Sequence, residues 1–70
     1  MEYTRADIEQ AETRLAEAER RVAKQRTEVQ KLRAAGMPTA ASETILASME
    51  DLVGTLRASV TQMLSSRNRT

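Results

Sequence analysis

Ala35-Gly36-Met37-Pro38-Thr39 is the only stretch of the 70-residue chain in which a Gly and a Pro stand two residues apart. Gly36 can take the left-handed conformation that closes a helix, while Pro38 cannot continue that helix but suits the start of the next. The stretch therefore predicts the turn of a helical hairpin. The boundaries that follow are a first helix over about residues 5–35, a turn at 36–39, a second helix over about 40–66 and a frayed tail at 67–70, all within one domain. The fold class expected is all-α: two antiparallel helices packed like a short coiled coil.

Before the turn, Thr4 followed three residues later by Asp7 resembles a capping box, with Asp in place of the usual Glu or Gln, and sets the first helix to begin near residue 5. From there to Ala34 the chain has no Gly or Pro and is rich in Ala, Glu, Arg, Lys and Gln, enough for a rod of roughly 45 Å. Ile8, Leu15, Val22 and Val29 recur every seven residues, and Ala11, Ala18, Gln25 and Leu32 follow each of them by three. This is an a/d heptad pattern. Ala11 and Ala18 are small for a d position and allow a close helix approach. Gln25 is polar among apolar neighbours, so it either fixes register through a buried hydrogen bond or bends its amide out to water. The reach of a long side chain favours water.

After the turn, Thr39 is the expected cap and Glu43 an acid in the first turn, where it complements the helix dipole. Ile45, Leu46, Met49, Leu52, Val53, Leu56, Val60, Met63 and Leu64 recur at threes and fours. With Met49, Leu56 and Met63 as a, Ile45 and Leu52 become d and Leu46, Val53 and Val60 become e. Such a stripe is wider than one partner helix covers. The surplus marks an interface, expected at Leu46, Met49, Val53, Leu56, Val60 and Met63, with Val53 and Val60 assigned to a second chain and not to the hairpin seam. Gly54 inside this helix costs about 1 kcal/mol relative to Ala, and either admits another backbone closely or is tolerated.

Composition sets the limits on function. Eleven basic and ten acidic residues leave a formal charge of +1, and there is no Cys, no His and a single aromatic residue, Tyr3. A lone hairpin with one shared face is marginally stable, and without disulfide or metal ligands oligomerisation is the remaining remedy. The leading expectation is a non-enzymatic interaction or structural module that pairs with a second copy of itself into a four-helix bundle. A variant of this reading places a client helix on the same face, as a small chaperone or adaptor would. No nucleophile has a base to activate it: Ser48, Ser59, Ser65 and Ser66 stand without His, and the adjacent Glu50 and Asp51 cannot face each other on a helix. No catalytic, cofactor or metal role is expected.

Charge along helix 1 is polarised, with acids concentrated over residues 1–19 and bases over 20–33. The helix dipole favours that order. The alternative is an accessory nucleic-acid binder using Arg20, Arg21, Lys24, Arg26, Lys31 and Arg33. These bases wrap around the rod on the heptad frame, and no aromatic residue is interleaved to stack on nucleic-acid bases. No apolar run approaches the length of a membrane span, and the N-terminus opens with Glu2 and Asp7, so a cytoplasmic location is expected.

Gln25-Arg26, Val29, Leu32, Gly36, Thr39, Leu46, Met49-Glu50 and Leu56-Arg57 together resemble a group of short uncharacterised proteobacterial proteins. Members of that group tend to carry Gln-Arg, a Leu or Val pair, Gly-His-Asp-Thr and an apolar run ending near Leu-Glu-x-x-Leu. This chain has Met37 and Pro38 where His and Asp are frequent. The resemblance implies a helical hairpin and a bacterial source, and it carries no function.

Overall fold

A computed structural model describes residues 3–68, which form two helices, α1 over Arg5–Ala34 and α2 over Ala40–Asn68. The helices pack against each other as a rod whose Cα atoms span 55 × 15 × 12 Å. At the start of α1, Thr4 and Asp7 form the reciprocal capping box: the Asp7 amide donates to Thr4 Oγ1 and the Thr4 amide donates to Asp7 Oδ2, each at 3.1 Å. Two of the helix's four orphan amide donors would otherwise need water.

The turn closes as its residues dictate. Gly36 has φ 69, in the left-handed region that a Cβ disfavours. Its amide donates to the Arg33 carbonyl at 3.1 Å, and the Met37 amide donates to the Leu32 carbonyl at 2.9 Å. This pair of bonds is a Schellman ending and satisfies carbonyls that α1 leaves open. Ala35 acts as the cap, so α1 ends one residue before the sequence pattern suggests. The Thr39 carbonyl accepts from the Glu43 amide at 2.8 Å, which places Thr39 just before the first turn of α2. At the far end α2 runs on to Asn68, two residues past the expected end. Arg67 is helical and sits in the last turn, where the dipole favours a cation, and residues 69 and 70 of the expected tail lie outside the described residues.

The seam of α1 follows its heptads. Ile8, Val22 and Val29 are buried, and Leu15, Ala11, Ala18, Gln25 and Leu32 are half-buried. On α2 the seam departs from the heptad frame drawn above. Val53 and Val60 are only 8% and 7% exposed, with Leu46, Met49, Leu56 and Met63 half-buried beside them. Ile45 and Leu52, which that frame placed in the seam, are 52% and 53% exposed. Val53 and Val60 are therefore core residues of the hairpin and not its contact with a second chain. The helix is rotated by about one lane, so its seam runs along Leu46-Val53-Val60 and Met49-Leu56-Met63.

Gln25 also departs from the preferred reading. Its Nε2 donates to the Ser42 carbonyl on α2 at 3.0 Å, and the residue is half-buried. The amide thus ties α1 to the first turns of α2. Among the described residues no buried side-chain nitrogen or oxygen lacks a partner. A net gain of about 0.5–1.5 kcal/mol is typical of such a bond.

Two substitutions test this packing. Val53→Ala removes buried carbon from the seam and is expected to destabilise by about 1–2 kcal/mol, read as a lower melting temperature by circular dichroism. Gly54→Ala is expected to do the opposite. A Cβ built at Gly54 meets nothing within 4 Å, so the substitution should stabilise α2 by about 0.5–1 kcal/mol and raise the melting temperature. A lower value for Gly54→Ala would mean that another chain packs directly on that backbone.

Candidate docking groove

The rotation of α2 gives the rod two unlike edges. Along one, three ion pairs cross the hairpin among the described residues: Arg57 to Glu19 at 2.9 Å, Arg26 to Glu50 at 2.8 Å and Arg33 to Glu43 at 2.6 Å. Glu19, Arg26 and Arg33 are seven apart on α1, and Arg57, Glu50 and Glu43 are seven apart in the opposite direction on α2, so one antiparallel register satisfies all three. Glu19, Arg26, Glu50 and Arg57 line a shallow cleft with Val22 and Val53 at its base. Charged heads with apolar stems close that edge.

Each pair is exposed, with side chains 44–65% accessible, and exposed pairs contribute about 0.2–1 kcal/mol. Three of them together amount to roughly 1–2 kcal/mol, which biases two otherwise similar packings by about 5- to 30-fold. The alternative rotation of α2, with Ile45 and Leu52 inward, would turn Glu43, Glu50 and Arg57 away from their partners. The charges therefore select which apolar lane is buried.

The other edge stays open. Ala18, Arg14, Glu17 and Arg21 of α1 and Met49, Leu52 and Leu56 of α2 line a groove of about 300 Å³. It continues toward the N-terminus past Tyr3, Ala11, Ser59 and Met63, and toward the turn past Gln25, Lys24 and Glu28. The cause is the pair of small d residues. Ala11 and Ala18 present one methyl each where Leu would fill the space, so the flanks of Met49, Leu56 and Met63 remain half-exposed. Exposed Ile45 and Leu52 extend the apolar lane along α2.

Of the residues expected at an interface, Met49, Leu56 and Met63 line this groove, Val53 and Val60 lie in the core, and Leu46 is half-buried in the seam. Ile45 and Leu52 belong to the exposed lane instead. Their seven-residue spacing was visible in the sequence, but so was that of Val53 and Val60, and spacing alone did not choose between the lanes.

The six bases of the 20–33 segment are all exposed and are not gathered on one face. Arg26 and Arg33 reach across to carboxylates of α2 on the closed edge. Arg21 and Lys24 stand on the groove side beside Glu17, Gln25 and Glu28. Among the described residues no three acidic side chains converge as a metal site requires, and no helix is long and apolar enough to cross a membrane. Comparison with protein-family models, with curated proteins and with solved structures finds no match to this chain.

A double-mutant cycle on Arg26→Ala and Glu50→Ala measures the closed edge. The coupling energy is expected below about 1 kcal/mol at low salt and smaller at high salt. A value of several kcal/mol would identify this pair, and not the valine seam, as the main stabilising contact.

Proposed function

We propose that the chain is a non-enzymatic protein-interaction module whose working surface is the open groove edge, onto which an apolar helix docks. The observation that carries this reading is the contrast between the edges. Ion pairs cross one side, while the other presents Ile45, Met49, Leu52 and Leu56 over a floor left unfilled by Ala18. A continuous apolar lane on the flank of a small hairpin is costly to leave in water, at about 25 cal/mol per Å² of apolar surface. Helix-in-groove docking buries such a lane through side chains three and four residues apart. The long Arg14 and Arg21 side chains on the rim suit this role, since their stems can lie over apolar surface while their heads stay in water.

Capture from an extract of the native host tests the reading, with the whole chain immobilised through its C-terminus. Wild type is expected to retain a bound chain, its own copies included, whereas Leu52→Glu retains none. Leu64→Glu changes an exposed apolar residue of α2 outside the groove and should capture as wild type does. Equal recovery by wild type and Leu52→Glu would rule out the groove as the docking surface.

A further inference from the structure

Resting on that reading of the groove, we infer that its occupant is a second copy of the same chain, with α2 packed antiparallel against α2 of the copy about a two-fold axis beside Thr55. The exposed area of the chain matches what one further copy would cover. The chain exposes 5440 Å², whereas a compact monomer of 7.8 kDa is expected to expose about 4,400 Å². The excess of roughly 1,000 Å² is comparable to the ~800 Å² per partner that a standard stable interface removes from water. One copy on one edge is sufficient to cover it.

The outward side of α2 also has the chemistry of a self-complementary contact. Five charged residues lie on this helix: Glu43, Glu50, Asp51, Arg57 and Arg67. Three of them are held in the ion pairs of the closed edge. None falls on the exposed lane Ile45-Leu52-Ser59 or on the next lane outward, Ala41-Ser48-Thr55-Gln62. The outer lane is of small or uncharged residues, which permit close helix approach. The Thr55 hydroxyl already donates to the Asp51 carbonyl at 3.2 Å, so burying it leaves no unpaired donor. Laid antiparallel on itself about Thr55, this side sets Leu52 between Leu56 and Ser59 of the second copy, Met49 between Ser59 and Met63, and Ile45 level with Gln62 and Ser66. No charge of α2 is buried in the process.

Electrostatics choose the antiparallel direction. A two-fold perpendicular to the helices puts both copies of α1 on the same side, running in opposite senses. The acidic first half of each α1 then lies beside the basic second half of the other, with Glu17 toward Lys24 and Arg14 toward Glu28 of the second copy. Arg21 near the axis faces its own mate, one like-charge contact against these complementary ones. A parallel arrangement would align acid with acid and base with base along the rod.

The chain has no Cys, so single Cys variants report the arrangement directly. Thr55→Cys treated with a short bismaleimide at tens of micromolar should give covalent dimer at least tenfold faster than Ser48→Cys. In the antiparallel pair the two Ser48 positions are about 20 Å apart along the axis. A mixture of Ser48→Cys and Gln62→Cys should cross-link between unlike chains, because those positions face each other. Wild type should sediment at twice the monomer mass, and Leu52→Glu at the monomer mass. Ser48→Cys linking to itself as fast as Thr55→Cys would overturn the arrangement in favour of parallel pairing. A wild type that sediments as a folded monomer would overturn the second copy as occupant. In that case Leu52-dependent capture of another protein would still uphold the groove reading, so the two failures are distinguishable.

Discussion

Two helices of this length share a single seam, and α2 carries three apolar lanes against the two that a seam can enclose. The rest of the structure depends on which lane is left out. With Leu46, Val53 and Val60 inside, Ile45 and Leu52 are placed on the flank. Three carboxylate–guanidinium pairs then line up on the opposite flank. The unfilled space beside Ala11 and Ala18 comes from the same packing, because α1 meets the large side chains of α2 with methyl groups.

The two edges are thus consequences of one rotation. On the closed edge the stabilising contributions are individually small, and the buried valines carry more of the free energy than the ion pairs do. What the ion pairs supply is specificity of register, since all three are satisfied in one alignment of the helices and not in its neighbours. Apolar lanes repeating every seven residues tolerate a shift of one heptad with little loss of burial. The charges do not, because that shift brings Arg26 beside Arg57 in one direction and Glu19 beside Glu50 in the other.

This division of roles bears on function. A hairpin with only a few buried side chains has little stability to spare, and exposed apolar surface along a flank is a liability unless something covers it. The docking of a helix proposed for the groove edge would cover that surface and add stability to the hairpin. The basic segment of α1 fits the same economy of surface. Two of its arginines pair with carboxylates of α2, and others stand along the groove rim among acids.

Much of the architecture was legible in the residues. Gly36 with Pro38 placed the turn, Thr4 with Asp7 placed the start of α1, and the Ile8-Leu15-Val22-Val29 repeat identified its buried stripe. Each of these is a local requirement: a left-handed backbone angle, an orphan amide needing an acceptor, or one face of one helix turned from water. The seam of α2 and the position of Gln25 were not local. Ile45 with Leu52 and Val53 with Val60 have the same spacing and comparable hydrophobicity, so no property of α2 alone ranks them. The choice belongs to the pair of helices, through carboxylates and guanidiniums seven residues apart on each and an amide that finds its carbonyl only across the hairpin. Local chemistry determined the two helices and the turn, whereas contact between residues far apart in the chain decided which edge was closed and which was left open.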